Sequence, residues 1–140
     1  MARIEIRRVD DAFALEAVDE AGHTARMDAA EAIGGHNSGI RPMQTLLMGL
    51  GGCGGVDILS ILKKQRQEIA DFRMVIDGER EQGKEPSLWK QVHILFEFSG
   101  NVDEEKARKA CALSIDKYCS VAATLRAAGC VITWDLSICP

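Results

Sequence analysis

Residues 43–62 form the longest apolar stretch of the chain, and five glycines fall inside it, at positions 49, 51, 52, 54 and 55. Pro42 stands at its start, where a helix tolerates a residue without an N–H. Apolar side chains lie on nearly every face (Leu46, Leu47, Met48, Leu50, Val56, Ile58, Leu59, Ile61, Leu62), and the stretch ends in Lys63-Lys64-Gln65-Arg66-Gln67-Glu68. Such a helix is buried first and emerges into water later. The pattern predicts a helix from Met43 to about Ile69. Each interior glycine costs a helix roughly 1 kcal/mol relative to alanine, so something must offset them. Close approach of a second helix or of another subunit is the simplest offset.

The flanking sequence is strand-like. Ile4, Ile6, Phe13, Leu15 and Ala17 alternate with polar residues, interrupted by Asp10-Asp11 and Glu20-Ala21-Gly22, which predicts a small antiparallel meander from Arg3 to Met27. The polar, glycine-rich segment 32–41 reads as a loop, of the kind that often lines a site. Phe72 to Arg80 and Lys90 to Ser99 alternate as two further strands around a hairpin loop. Asp103 is placed to cap a helix from Glu104 to about Lys117, with Ala107, Ala110, Cys111, Ser114 and Ile115 on its small-residue face. Ser120 is placed to cap a short helix stopped by Gly129, and Val131 to Ile138 reads as a final strand. The order is α+β, and 140 residues fit a single domain spanning 1–140.

A net charge of -4 and a pI near 5.4 give no electrostatic reason to bind nucleic acid or an anionic membrane. The N-terminus alternates charged and apolar residues and lacks the unbroken apolar core of a signal peptide, so a cytoplasmic location is expected. Five cysteines occur at wide spacings without Cys-x-x-Cys pairs, which points to free thiols rather than a disulfide framework or a structural zinc site. His23, His36 and His93 are isolated in sequence, and neither a metal nor a bound cofactor is expected.

Cys53 sits among glycines, where backbone and other chain segments approach closely and its sulfur is open to both a substrate and a second thiol. Cys119 is the candidate for that second thiol. Gly49-Leu50-Gly51-Gly52-Cys53-Gly54 formally matches the dinucleotide fingerprint, but that motif should follow a strand and here it follows a helical pattern. Cys111 and Cys130 read as core residues, Cys139 as an exposed thiol, and Trp89 and Trp134 as packing residues of the core or an interface.

The run from Arg41 through Gly51-Gly52-Cys53-Gly54-Gly55-Val56-Asp57, followed by Ile61-Leu62-Lys63-Lys64, resembles the OsmC/Ohr superfamily of osmotically inducible and organic hydroperoxide resistance proteins. Lys117-Tyr118-Cys119-Ser120-Val121-Ala122 is similar to the family's second cysteine motif, and the match is to the branch with a Gly-Gly-Cys motif. The resemblance implies an α+β fold with antiparallel sheets around two central helices in an intertwined homodimer. It further implies thiol-dependent reduction of organic hydroperoxides, with Cys53 attacking and Cys119 resolving. The peroxidase branches carry a glutamate ten residues before the reactive cysteine, where it positions an arginine; here that position is Met43. Gln44 lies about 100° further around the helix and does not replace it.

A cysteine that attacks a peroxide must be a thiolate, so its pKa must fall. Arg41 is the nearest cation in sequence, about 18 Å away along a straight helix, and it reaches Cys53 only if the chain folds back or if it serves a partner subunit. Arg26 and His36 are the other candidates. Asp57, one turn beyond Cys53, raises the thiol pKa if unpaired and replaces the missing glutamate as orienting group if paired with an arginine. Cys119, just before a helix start, has an anion-favouring position. A Cys53/Cys119 disulfide would be reduced by an external dithiol. The rival expectation is a dimeric small-molecule-binding or redox-sensing protein of the same fold that does not turn over.

Overall fold

The computed structural model describes all 140 residues and divides the chain into two compact units, Met1–Leu46 and Leu47–Pro140. The first unit holds the expected meander, β1 (Ile4–Arg8), β2 (Leu15–Asp19) and β3 (Thr24–Met27), paired antiparallel in sequence order. Aspartates close both of its turns. Asp10 Oδ1 accepts the Ala12 and Ala14 N–H groups at 2.9 and 3.1 Å, and Asp19 Oδ1 accepts those of Ala21 and His23 at 2.9 and 2.8 Å.

The loop that follows begins with a 3₁₀ turn (Glu31–Ile33) and is gathered around the buried Asp28. That carboxylate accepts the Ser38 N–H and hydroxyl, the Ala29 N–H and the His36 N–H, which together hold it well below the usual carboxylate range.

Helix α1 (Pro42–Lys64) starts at the expected proline but ends five residues earlier than the sequence pattern predicts. Arg66 adopts a left-handed backbone (φ 57°), and Ile69 belongs to the next strand. By length and composition α1 could cross a bilayer (23 residues, mean hydropathy 1.6), a test that the core helix of a soluble protein also meets. Its Leu50, Gly51, Gly54, Gly55, Ile58 and Leu62 are packed inside the fold.

The second unit adds β4 (Glu68–Arg80), β5 (Trp89–Asn101), α2 (Glu104–Leu113), α3 (Ser120–Ala127) and β6 (Val131–Cys139). Its sheet runs β4-β5-β6. The expectation of antiparallel sheets is corrected here: β4 and β5 pair antiparallel, but β5 and β6 pair parallel. The two helices between them form the crossover that a parallel pair requires. Val92, Ile94, Phe96 and Phe98 of β5 are buried with Leu50, Ile58 and Leu62 of α1 and Ala107, Ala110 and Cys111 of α2.

Three of the α1 glycines explain their cost. A Cβ on Gly51 would lie 2.7 Å from Ile76 Cδ1, one on Gly54 2.8 Å from Ile115 Cδ1, and one on Gly55 3.0 Å from Met74 Cε. Close approach is therefore what they provide, to strand β4 at two positions and to the segment after α2 at the third.

Candidate active site

Cys53 lies mid-way along α1, partly exposed, while Cys119 is buried between α2 and α3. The chain reaches Cys119 through an unexpected feature. Beyond Leu113 the helix widens into a π turn (Ser114–Tyr118), closed by the Cys119 N–H on the Ser114 carbonyl at 2.7 Å. Such widened turns often sit at functional sites. Ser114 is fully buried, and its hydroxyl donates to the Gly54 carbonyl at 2.9 Å, tying the turn to the residue beside Cys53. A small residue at Gly54 is what admits it.

The cap of α3 is Cys119 rather than the expected Ser120. Its backbone is extended (φ -70°, ψ 108°), and its sulfur accepts the Ala122 N–H at 3.4 Å. The preceding two amides of the same helix start, Ser120 and Val121, lie near enough to Cys53 to favour its thiolate. One helix N-terminus thus serves both sulfurs, and the two thiols are near enough to influence each other's protonation.

These contacts separate the two thiols. The Val121 N–H holds the Cys53 thiol below its ordinary value, against partial burial, with help from the Cys119 thiol and the Ser120 N–H. Asp57 opposes them by its charge. Burial pushes Cys119 up, and sharing its proton with Cys53 adds to the shift. Cys119 does occupy the expected helix start, and its Ala122 and Val121 amides favour the anion, but burial outweighs them, so the thiolate is favoured on Cys53 instead.

Asp57 makes no ion pair, and its Oδ2 is buried without a hydrogen-bond partner. The pairing with an arginine that would orient the site is therefore absent within one chain. Arg41, Arg26 and His36 belong to the first unit and are engaged there. The Arg41 guanidinium donates to Asn37 Oδ1 at 2.9 Å and to the Gly39 carbonyl at 3.1 Å. Arg26 meets Glu16 at 3.2 Å across β2 and β3, and His36 meets Asp10 at 3.1 Å. Gln44 accepts the Arg41 N–H at 3.1 Å, the reciprocal half of a helix cap.

Asp10, Asp11 and His36 bring their ligand atoms within 4.8 Å of one another, a grouping that their separation in sequence conceals. One Asp10 oxygen is already taken by two backbone amides. Ser114 and the α3 amides were not legible as site groups. A serine in a run of small helical residues reads as packing, and backbone donors leave no mark in side-chain identity.

An α+β fold with two three-stranded sheets, three α-helices and two neighbouring free cysteines, one on a glycine-rich helix, defines a class of paired-thiol proteins. The chain belongs to the OsmC-like protein family, whose model matches residues 35–135. Protein YhfA of Escherichia coli is 35% identical over 111 residues, 76% of this chain and 77% of that one. The crystal structure of a hypothetical protein from Aquifex aeolicus superposes with a TM-score of 0.80 at 29% identity, covering 100% of this chain and 98% of the other. The organic hydroperoxide resistance protein OhrB of Bacillus subtilis shares the fold, with a TM-score of 0.67 at 18% identity over 98% of each chain.

Proposed function

We propose that the protein reduces organic hydroperoxides through Cys53 and Cys119. The observation that carries this reading is the shared N-terminus of α3, which favours a thiolate on Cys53 beside a Cys119 whose burial retains its proton. The Cys53 thiolate attacks the outer oxygen of ROOH; the O–O bond breaks, and the alkoxide takes a proton to leave as ROH. Cys53 is left as a sulfenic acid. Cys119 then attacks the Cys53 sulfur, forming the disulfide and releasing water. An external dithiol restores both thiols by two exchanges, which calls for a reducing compartment such as the cytoplasm. Membership of a family that includes organic hydroperoxide resistance proteins supports this role in oxidative stress defence.

The working unit in this reading is a homodimer. Along α1, Met48, Val56 and Leu59 are exposed, and a Cβ on Gly49 or Gly52 would meet nothing within 4 Å, so an apolar face with room for close approach lies open. Arg41 would then act on the partner's thiol, and Asp57 would find its partner there.

The test treats reduced protein with cumene hydroperoxide and maps disulfides by mass spectrometry, with Cys53→Ser and Cys119→Ser controls. A Cys53 to Cys119 disulfide is expected, with sulfenic acid accumulating at Cys53 in Cys119→Ser. A Cys53 that forms neither overturns the reading. Met43 in place of the peroxidase glutamate favours the rival, a redox sensor without turnover. Continuous hydroperoxide consumption with dihydrolipoamide is the expected result, and a single stoichiometric oxidation would establish the rival.

A further inference from the structure

We propose that Ser114 is the positioning residue of the Cys53/Cys119 pair: it sets the spacing of the two thiols, and with it their readiness to join as a disulfide. Ser114 is fully buried, and the only other buried residue with a polar side chain is Asp28 in the first unit. A hydroxyl taken out of water costs stability unless it finds an acceptor. A serine in a helix ordinarily finds one in the carbonyl of its own preceding turn, which ties it to nothing else. Ser114 instead donates to the Gly54 carbonyl, 60 residues away in the chain, at 2.9 Å.

The same residue also holds the second cysteine. Its carbonyl accepts the Cys119 N–H at 2.7 Å. Gly54 directly follows Cys53, so the backbones of the two cysteines are linked through Ser114 by two short hydrogen bonds. Because the widened turn sends the Cys119 amide to Ser114, the Ile115 carbonyl is left for another donor, and Arg126 of α3 takes it at 2.6 Å. Ser114 thus fastens the turn to α1, and Arg126 fastens it to the helix whose first amides favour the Cys53 thiolate. Gly54 and Ser114 are buried within one chain, so a second copy on the open face of α1 leaves this link as it is. Holding two reacting groups at one spacing raises the effective concentration of each at the other, which is the contribution of Ser114. Naming a hydroperoxide as the oxidant rests on the proposed function; the placement of the thiols does not.

Exchange with glutathione tests the placement without any hydroperoxide. The Cys53 thiolate attacks oxidised glutathione and releases one glutathione thiolate. Cys119 then gives up its proton, attacks the Cys53 sulfur of the mixed disulfide and releases the second. At equilibrium over a series of glutathione ratios, peptide mapping gives the fraction of Cys53 to Cys119 disulfide and hence the effective concentration. Alanine is smaller than serine and a better helix former, so Ser114→Ala folds. It should lower the effective concentration about threefold or more, the scale of one intramolecular hydrogen bond. Ile94→Val, a change in the fully buried part of β5 that also costs stability, should leave the value unaltered. A wild type that forms no such disulfide, a smaller fall in Ser114→Ala, or an equal fall in Ile94→Val overturns the proposal. If the exchange behaves as expected while no hydroperoxide is reduced, the positioning role stands and the peroxidase reading fails. With turnover intact, the Cys53 sulfenic acid of Ser114→Ala waits longer for Cys119 and is more often oxidised to the sulfinic acid by a second hydroperoxide, which leaves as its alcohol. Excess cumene hydroperoxide should therefore yield a larger share of Cys53 sulfinic acid than in the wild type, and an equal share would overturn the role in disulfide formation.

Discussion

At the scale of single residues, the site works by giving two like thiols unlike neighbours. The Val121 and Ser120 amides favour a thiolate on Cys53, whereas Cys119 is buried and keeps its proton. Alkylation of Cys53 by iodoacetamide should therefore rise with pH through a midpoint below the ordinary thiol value of about 8.5. Cys119→Ala removes a donor and should move that midpoint up; Asp57→Asn removes an opposing charge and should move it down. Rates at a series of pH values, followed by peptide mapping, check both directions. Cys53, Cys119 and Asp57 were all legible as residues of interest from their glycine setting and their spacing. Which thiol takes the helix start was not legible, because the capping preference of Ser120 outranks that of cysteine in any sequence reading, and the π turn moves the cap back by one residue.

At the scale of elements, the glycines of α1 and the turn after α2 are one construction. Gly54 admits Ile115 and Ser114, and Ser114 in turn fixes the backbone that presents Cys119. Gly54→Val places β-branched bulk where Ile115 Cδ1 would already lie 2.8 Å from a Cβ. Such overpacking should cost about 1–3 kcal/mol by urea denaturation and slow formation of the Cys53 to Cys119 disulfide. Every strand and α-helix was legible in the sequence because hydrophobic period and turn residues agree there. The ends were less so. Lys63 to Glu68 consists of good helix formers, yet Arg66 turns left-handed and frees Ile69 for β4, a tertiary demand that local preference does not record. The parallel pairing of β6 was hidden too, since alternation reveals a strand but not the direction of its neighbour.

For the whole molecule, the apolar face of α1 and the buried thiols set measurable limits. Val56 is 69% exposed on that face, so Val56→Lys should convert the proposed dimer to a monomer in light scattering after size exclusion. Alkaline stability provides a second measurement. Cys111 is fully buried, and burial pushes its thiol up to about 12. The folded chain keeps this proton when the unfolded chain loses it above about 8.5, so stability is complete below that pH and falls as pH rises toward 12. The decline attributable to this thiol should be about 1.4 kcal/mol per pH unit, and Cys111→Ala should remove it from the urea-unfolding profile. Finally, the parallel β5–β6 pair has a consequence in time. Cys53 lies 66 residues before Cys119 in the chain, and the α3 amides that favour its thiolate belong to the crossover that β6 pins down by pairing with β5. During synthesis the nascent chain carries an ordinary thiol at Cys53, and its reactivity arrives only when the second unit closes, sparing the unfinished protein from its own chemistry.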